Sequence, residues 1–274
     1  MTTTAIRPDP ELTDGEPSSG DQAPPWRLRL RLAASGLSNI VMPPVCAACQ
    51  TCVDRHHTLC AQCWSALAFI RPPLCDRMGI PLPFDTGGKM LSAAALANPP
   101  DYDRARSAAF HAGTMRRLIH GMKYQDRSDA MRLLTSWLAS AGDELLREAD
   151  MLVPVPLARG RLLWRRFNQS AELARMLSIR SGVPYHWRVL KRRRATPPQV
   201  GMTMAQRRQN VAGAFVVPPR MKAVIAGKSI VLVDDVLTTG ATVEACARVL
   251  KRAGAARVDV LTLSRASGDI ITPQ

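Results

Sequence analysis

Thirteen aromatic residues in 274 (five Phe, five Trp and three Tyr) are few, so the chain offers little material for a broad base-stacking platform. Acidic residues are also scarce, 22 against 37 Lys and Arg, which leaves a formal net charge of +15. No window approaches the roughly 20 apolar residues of a membrane-spanning helix. The best candidate, 32–45, is short and is interrupted by Asn39, Pro43 and Pro44, so no membrane insertion is expected. The N-terminus lacks a basic stretch followed by an apolar one, the mark of a secretory signal, and the chain reads as a soluble cytoplasmic protein. Also missing is a complete Gly-x-x-x-x-Gly-Lys-Ser/Thr loop. Gly227-Lys228-Ser229 has Lys222 where the first glycine belongs and precedes an apolar run instead of following one, so it reads as a turn and not as a P-loop. No internal repeat is apparent.

What is present begins with 46% hydrophobic residues, ordinary for a globular chain, in a length that suits one or two domains. Charge is spread unevenly. Residues 1–25 hold five acids and only Arg7, amid Pro, Ser, Thr and Gly, a composition with too little apolar surface to offset ordering entropy. A disordered tail is expected there. Residues 151–210 hold thirteen Lys and Arg and a single acid, Glu172. Positive charge so concentrated attracts phosphates, whether of a nucleic acid or of a small polyphosphate.

Four of the seven cysteines fall in two pairs, Cys46-Ala-Ala-Cys49 and Cys60-Ala-Gln-Cys63. Each Cys-x-x-Cys turn brings two sulfurs to one side, and the loop between the turns folds them together, so four thiolates can surround one Zn²⁺. Four thiolates leave no open position for substrate, and the metal is read as structural. Cys52, His56 and His57 lie inside the loop and could substitute for a ligand. Cys75 stands alone, and Cys246 reads as a small core residue.

Trp26 to Ile40 suits an amphipathic helix, although alternating Arg and Leu at 27–32 competes with a strand pattern. Leu82 to Pro100, rich in Pro, Gly and Ala, suits an irregular connector. Ala105 to His111 suits a strand. Met115, Leu118, Ile119 and Met122 follow the spacing of a helix with one buried face, and a second helix is expected over Ser128–Glu148. Beyond Asp150, strands (Met151–Val155, Ala214–Val217, Ser229–Val233, Val258–Leu263) alternate with helices (Asn168–Arg180, Thr242–Arg252). Such alternation predicts an α/β fold with a parallel sheet covered on both faces.

The most informative stretch is Ile230-Val-Leu-Val233-Asp234-Asp235-Val-Leu-Thr238-Thr239-Gly240-Ala241-Thr242. A buried strand carries two carboxylates to its C-terminal end, where open α/β sheets bind ligands. Small and hydroxylated residues then lead into a helix whose free N–H groups make a phosphate cradle. Carboxylates beside such a cradle suit a ligand that presents hydroxyls as well as phosphate, as a ribose 5-phosphate does.

Val231–Thr242 resembles the phosphoribosyl-diphosphate (PRPP) loop of type I phosphoribosyltransferases. With the paired cysteines, Lys123-Tyr124, Val153-Pro-Val-Pro156, Arg165-Arg-Phe167-Asn168-Gln169, Thr196-Pro-Pro-Gln199, Arg207-x-x-Asn210 and Ala214-Phe215 in that order, the chain resembles the ComF family, bacterial proteins linked to DNA uptake and related to the GntX group. The resemblance spans about 40–265. It implies a type I phosphoribosyltransferase-like sheet flanked by helices (105–267), after a helix and zinc segment (26–80) and a connector (81–104), with a short tail at 268–274. It implies that Asp234 and Asp235 hold the ribose hydroxyls and that Thr238, Thr239, Gly240, Ala241 and Thr242 hold the 5-phosphate. Pro156, Leu157, Ala158 and Arg159 belong to the implied pyrophosphate loop, and Lys123 joins the ligand-binding set. A mobile segment, Arg159–Gln169, would close over the diphosphate, with Arg159, Arg161, Arg165 and Arg166 neutralising it and Mg²⁺ bridging it. Two departures stand out: Arg166 replaces a frequent glycine, and Met78 takes the second thiol position of a further Cys-x-x-Cys-Gly at Cys75, against a second zinc site.

Two functions follow. One is transfer of phosphoribose from PRPP to an acceptor, which any hood upstream of about 125 would select. The other is a DNA-uptake accessory binding single-stranded DNA or a DNA-processing partner through its zinc segment and its basic surface, including Lys191-Arg-Arg-Arg194, with the PRPP site regulatory or vestigial.

Overall fold

The computed structural model describes residues 43–85, 87–124, 128–157, 168–197 and 201–267. All the described secondary structure falls in the second of two units, Met1–Pro43 and Pro44–Gln274. The expected tail at 1–25, the helix at 26–40, the segment 268–274 and most of the closing segment lie outside the described residues.

Four strands form a parallel sheet: β1 (Ala105–Phe110), β2 (Met151–Pro154), β5 (Ser229–Leu237) and β6 (Arg257–Arg265), in the order β1-β6-β5-β2. A separate antiparallel pair joins β3 (Lys191–Arg192) to β4 (Phe215–Val216). The parallel sheet must be covered on both faces, and the residues of β5 divide accordingly. Ile230 and Leu232 enter one core with Val153, Val258 and Val260, while Val231 and Val233 enter the other with Leu152, Leu261 and Leu263. This two-residue alternation is that of a pleated strand.

The first core is closed by α9 (Ala241–Arg252) through Val243, Cys246, Ala247 and Leu250. Cys246 is fully buried, and burial pushes its thiol up. The second core is closed by α3 (Gly113–Tyr124), α4 (Ser128–Ala141) and α6 (Gln169–Ser181). Met115, Leu118, Ile119 and Met122 are each at most 1% exposed, as their spacing predicts. Two short helices, α7 (Met204–Val211) and α8 (Lys222–Ile225), lie on either side of β4 in sequence.

Three elements differ from expectation. The helix expected over 128–148 is divided into α4 and α5 (Asp143–Arg147) at Gly142, the weakest helix former after proline. The strand expected to end at Val233 runs on to Leu237, because β6 pairs with it through Asp234↔Thr262, Val236↔Ser264 and Leu237↔Arg265. The stretch read as an irregular connector contains α2 (Ala93–Ala97), N-capped by Ser92, and pairs with Cys75 through Met90; only the tertiary fold brings those partners together.

Leu232 is fully buried at the centre of β5. Leu232→Ala should destabilise the protein by about 2–5 kcal/mol, the range for a buried leucine whose site cannot collapse. Urea unfolding followed by circular dichroism measures this directly. An unchanged midpoint would contradict the burial of this position.

Candidate functional site

The parallel pairing of β2 with β5 ends at Pro154↔Val233, and one further bond, from the Val155 N–H to the Val233 carbonyl at 3.0 Å, closes the ladder. From Asp234 onward β5 therefore has, among the described residues, a ladder partner on the β6 side alone. On the open side, Pro156 and Leu157 continue from β2 as half-buried residues, at the same carboxyl edge of the sheet as Asp234 and Asp235. Both aspartates are half-buried. Asp234 Oδ1 accepts a hydrogen bond from Ser170 Oγ at 2.8 Å and from the Asp235 N–H at 3.0 Å. Ser170, 2% exposed, is the second residue of α6. That helix starts at a defined point because Asn168 caps it, accepting from the Ser170 N–H at 3.2 Å, while its Nδ2 donates to the Val155 carbonyl at 3.2 Å. Strand β2, helix α6 and the Asp234 carboxylate are thus tied into one rigid corner.

After β5, Gly240 adopts φ +82° and serves as N-cap of α9; this left-handed conformation suits glycine. Its carbonyl accepts from the Glu244 N–H at 2.9 Å, so the turn is the first turn of the helix. Thr238 is exposed, Thr239, Gly240 and Thr242 are half-buried, and Ala241 is buried. Thr239 Oγ1 is buried without a hydrogen-bond partner among the described residues. An orphaned hydroxyl at a helix N-terminus is a site where an anion's oxygen would satisfy it.

Two cationic residues that sequence reasoning assigned no role stand beside this loop. Arg207 of α7 donates from Nη1 to Thr238 Oγ1 at 3.4 Å and from Nε to the Met202 carbonyl at 3.0 Å. Arg208 lies 3.8 Å from Glu244, whose carboxyl burial holds above its usual range, against the lowering effect of that arginine. The start of α7 is set by a capping box between Thr203 and Gln206. A Thr-x-x-Gln spacing before 207 was the available signal for this helix start. Its approach to the loop is tertiary. Of the other expected site residues, Lys123 lies in α3 with no described side chain, and Ala158, Arg159, Arg161, Arg165 and Arg166 lie outside the described residues.

The cysteine pairs converge. The sulfurs of Cys46, Cys49, Cys60 and Cys63 all lie within 4.8 Å of one another, with Cys49 and Cys60 at 3.6 Å. Four sulfurs at Zn–S distances of about 2.3 Å would stand about 3.8 Å apart on a tetrahedron, so the donor set fits a structural zinc ion. Cys52, His56 and His57 fall outside this cluster. Helix α1 (Ala61–Ser65) follows Cys60 directly. Hydrogen bonding from Thr51 draws the Cys49 thiol down to about 6, whereas burial pushes Cys63 up to about 12. Arg117 of α3 places Nη2 3.5 Å from Cys63 Sγ, a cation beside the sulfur that burial disfavours as thiolate.

Comparison with known proteins agrees with both halves of this arrangement. Residues 37–95 match the double zinc ribbon domain, and 168–270 match the phosphoribosyl transferase domain. The chain is 32% identical over 232 residues to the DNA utilization protein YhgH of Escherichia coli (strain K12), covering 82% of this chain and 99% of that one. The Salmonella typhimurium (strain LT2) protein of the same name is 32% identical over 246 residues, covering 88% and 96%. This chain belongs to the ComF family. Competence protein F of Haemophilus influenzae is 29% identical over 176 residues, covering 62% of this chain and 76% of that one. The ComF-family chain thus combines a zinc-ribbon segment with a phosphoribosyltransferase fold, and among the described residues no helix is long and apolar enough to cross a membrane.

Replacing Cys46 and Cys49 by Ser should remove about one equivalent of zinc per chain, read by elemental analysis of the purified protein. An unchanged metal content would show that these thiols are not ligands.

Proposed function

We propose that the carboxyl end of β5 and the loop 238–242 bind PRPP, and that the protein transfers its phosphoribosyl group to an acceptor with release of diphosphate. The observation that carries this reading is one strand–loop–helix unit in which two half-buried carboxylates precede an orphaned buried hydroxyl and a glycine N-cap. Asp234 and Asp235 hold the ribose hydroxyls in this reading. Thr238 to Thr242 hold the 5-phosphate, with the N–H groups of α9 as donors. Ser170 orients Asp234, and Arg207 supplies positive charge to the phosphate side of the loop.

In the reaction, the bond from the anomeric carbon to the diphosphate oxygen breaks with its electron pair leaving on diphosphate. The acceptor's lone pair forms the new bond at that carbon, while positive charge builds on the sugar ring. Positioning and stabilisation of the leaving group supply most of the rate. Pro156 to Arg159, and Arg161, Arg165 and Arg166 beyond them, are assigned to the diphosphate. Half-buried carboxylates are the hard oxygen donors that Mg²⁺ takes, and Mg²⁺ bound with PRPP supplies neutralising charge to the diphosphate.

A second reading is favoured by the names of the relatives and by a specific surface. Trp187 is 55% exposed, and the Arg188 guanidinium lies 4.7 Å from its ring centroid. Lys191, Arg193 and Arg194 are exposed close by in sequence. An aromatic face joined to cations suits stacking on single-stranded DNA, with affinity that falls steeply as salt rises.

Calorimetric titration of Mg²⁺–PRPP separates the readings. The wild type should bind, Asp234→Asn/Asp235→Asn should not, and Arg207→Ala should bind about tenfold more weakly, equivalent to about 1.4 kcal/mol. Equal binding by the wild type and the double variant would remove the aspartates from the site. Absence of binding by the folded, zinc-loaded wild type would overturn the PRPP reading. Salt-dependent binding of single-stranded DNA, weakened by Trp187→Ala, would then support the second.

A further inference from the structure

The backbone of the zinc segment is repeated, well beyond the Cys75-x-x-Met78-Gly79 remnant that the sequence shows. In the first copy Val45 pairs with Cys52, the Cys46 N–H bonds the Thr51 carbonyl at 2.8 Å, and the Gln50 N–H bonds the Cys46 carbonyl at 3.0 Å. Shifted by 29 residues, Leu74 pairs with Pro81, the Cys75 N–H bonds the Ile80 carbonyl at 2.8 Å, and the Gly79 N–H bonds the Cys75 carbonyl at 2.8 Å. The fifth residue of each turn is left-handed, Gln50 at φ +67° and Gly79 at φ +62°. The closing half repeats as well. The Ala47 N–H bonds the Thr58 carbonyl, and the Asp76 N–H bonds the Met90 carbonyl. Two residues after each acceptor, Cys60 and Ser92 stand as N-caps of five-residue helices, with ψ of 159° and 155°.

These correspondences align Cys46, Cys49, Cys60 and Cys63 with Cys75, Met78, Ser92 and Ala95. The match to the double zinc ribbon domain ends at Ala95, so it spans both copies. A thioether, a hydroxyl and a methyl group cannot make up a Cys₄ site; one thiol remains, and the donor set does not fit zinc. We infer that 74–97 is a metal-free second ribbon, whose four ligand positions are Cys75, Met78, Ser92 and Ala95, and that the chain holds one zinc ion where a double ribbon holds two.

The structure supplies a physical replacement for the missing ion. Cys75 Sγ, fully buried, accepts from the Ser92 N–H at 3.2 Å and from the Met78 N–H at 3.4 Å. Burial acts to raise this thiol, but the hydrogen bonds from Ser92 and Met78 outweigh it and hold it below its ordinary value. Ser92 Oγ accepts from the Ala95 N–H at 3.2 Å and lies 3.9 Å from Met78 Sδ. From outside, the second copy is pinned to the parallel sheet. The Ala105 N–H bonds the Arg77 carbonyl at 2.8 Å, Arg106 Nη1 bonds the Asp76 carbonyl at 2.8 Å, and Arg265 Nη1 bonds the Met78 carbonyl. At Gly79 the approach is so close that a β-carbon would lie 2.1 Å from the Ala105 carbonyl oxygen. Gln50, at the equivalent place in the first copy, is exposed and keeps its side chain. Docking on β1 and β6 thus does for the second ribbon part of what an ion does for the first.

Elemental analysis of the full chain tests this. Wild type and Cys75→Ser should each carry one zinc per chain; two in the wild type, or loss of the ion in Cys75→Ser, would overturn the inference. Met78→Cys/Ser92→Cys/Ala95→Cys should carry two, with the sulfur-to-cobalt charge-transfer band of the Co²⁺-substituted protein about doubled relative to wild type. A folded triple variant that stays at one equivalent would overturn the positional equivalence. Should the triple variant fail to fold, the metal counts of wild type and Cys75→Ser decide the question.

Discussion

Strand β5 must bury both of its faces while standing between β2 and β6, and most of the molecule is arranged around that requirement. Each apolar residue from Ile230 to Val233 enters one of two cores in strict alternation. Helix α9 is needed on one side, and α3, α4 and α6 on the other. The penalty for leaving either face wet is large, since each fully buried aliphatic side chain contributes about 1.5–3 kcal/mol. Where the apolar run stops, at Asp234, the strand has also lost its β2 partner. The open carboxyl edge therefore begins where burial on one flank ends.

That coincidence gives the carboxyl edge its chemistry. Pairing with β6 on either side of Asp235, at Asp234 and at Val236, holds this end of the strand in place, while the open side admits residues following β2 and the start of α6. Ser170 ties the Asp234 carboxylate to that helix. Among the described residues, Thr239 Oγ1 in the loop and both side-chain amide atoms of Gln169 at the start of α6 are buried without hydrogen-bond partners. Buried polar groups are nearly always satisfied, and in the proposed PRPP reading the ligand's oxygens and hydroxyls would complete the bonding of these two residues. Arg207 adds charge from a helix that is remote in sequence, held in place by its own capping box.

The two ribbon copies show how one backbone path can be stabilised in different ways. Four converging sulfurs supply a cation site in the first. In the second, amide hydrogen bonds to a single buried sulfur, a hydroxyl cap and contact with the sheet serve in their place. The close packing of Gly79 against Ala105 makes this second copy an extension of the sheet's edge instead of a separate module. This also explains why a stretch with the composition of an irregular connector is folded: its partners, Cys75 and Asp76, lie fourteen or more residues upstream.

By itself the sequence determined whatever depends on local pattern. Short apolar runs and helical spacing specified the strands and the buried face of α3, the doubled Cys-x-x-Cys specified a closed four-sulfur cluster, and the Asp-Asp-x-x-Thr-Thr-Gly run specified a strand end and a turn opening a helix. Element ends were less legible: β5 reaches Leu237 because β6 pairs with it, and the helix run after 128 divides at Gly142. Only the tertiary structure decided which distant groups meet. Ser170 reaches Asp234 and Arg207 reaches Thr238 through packing of helices on the sheet, and no spacing along the chain encodes either approach. The repeated ribbon was legible only at Cys75-x-x-Met78-Gly79, because its hydrogen bonds are made by backbone amides that carry no residue signature, while the other side chains that would have announced it had been replaced.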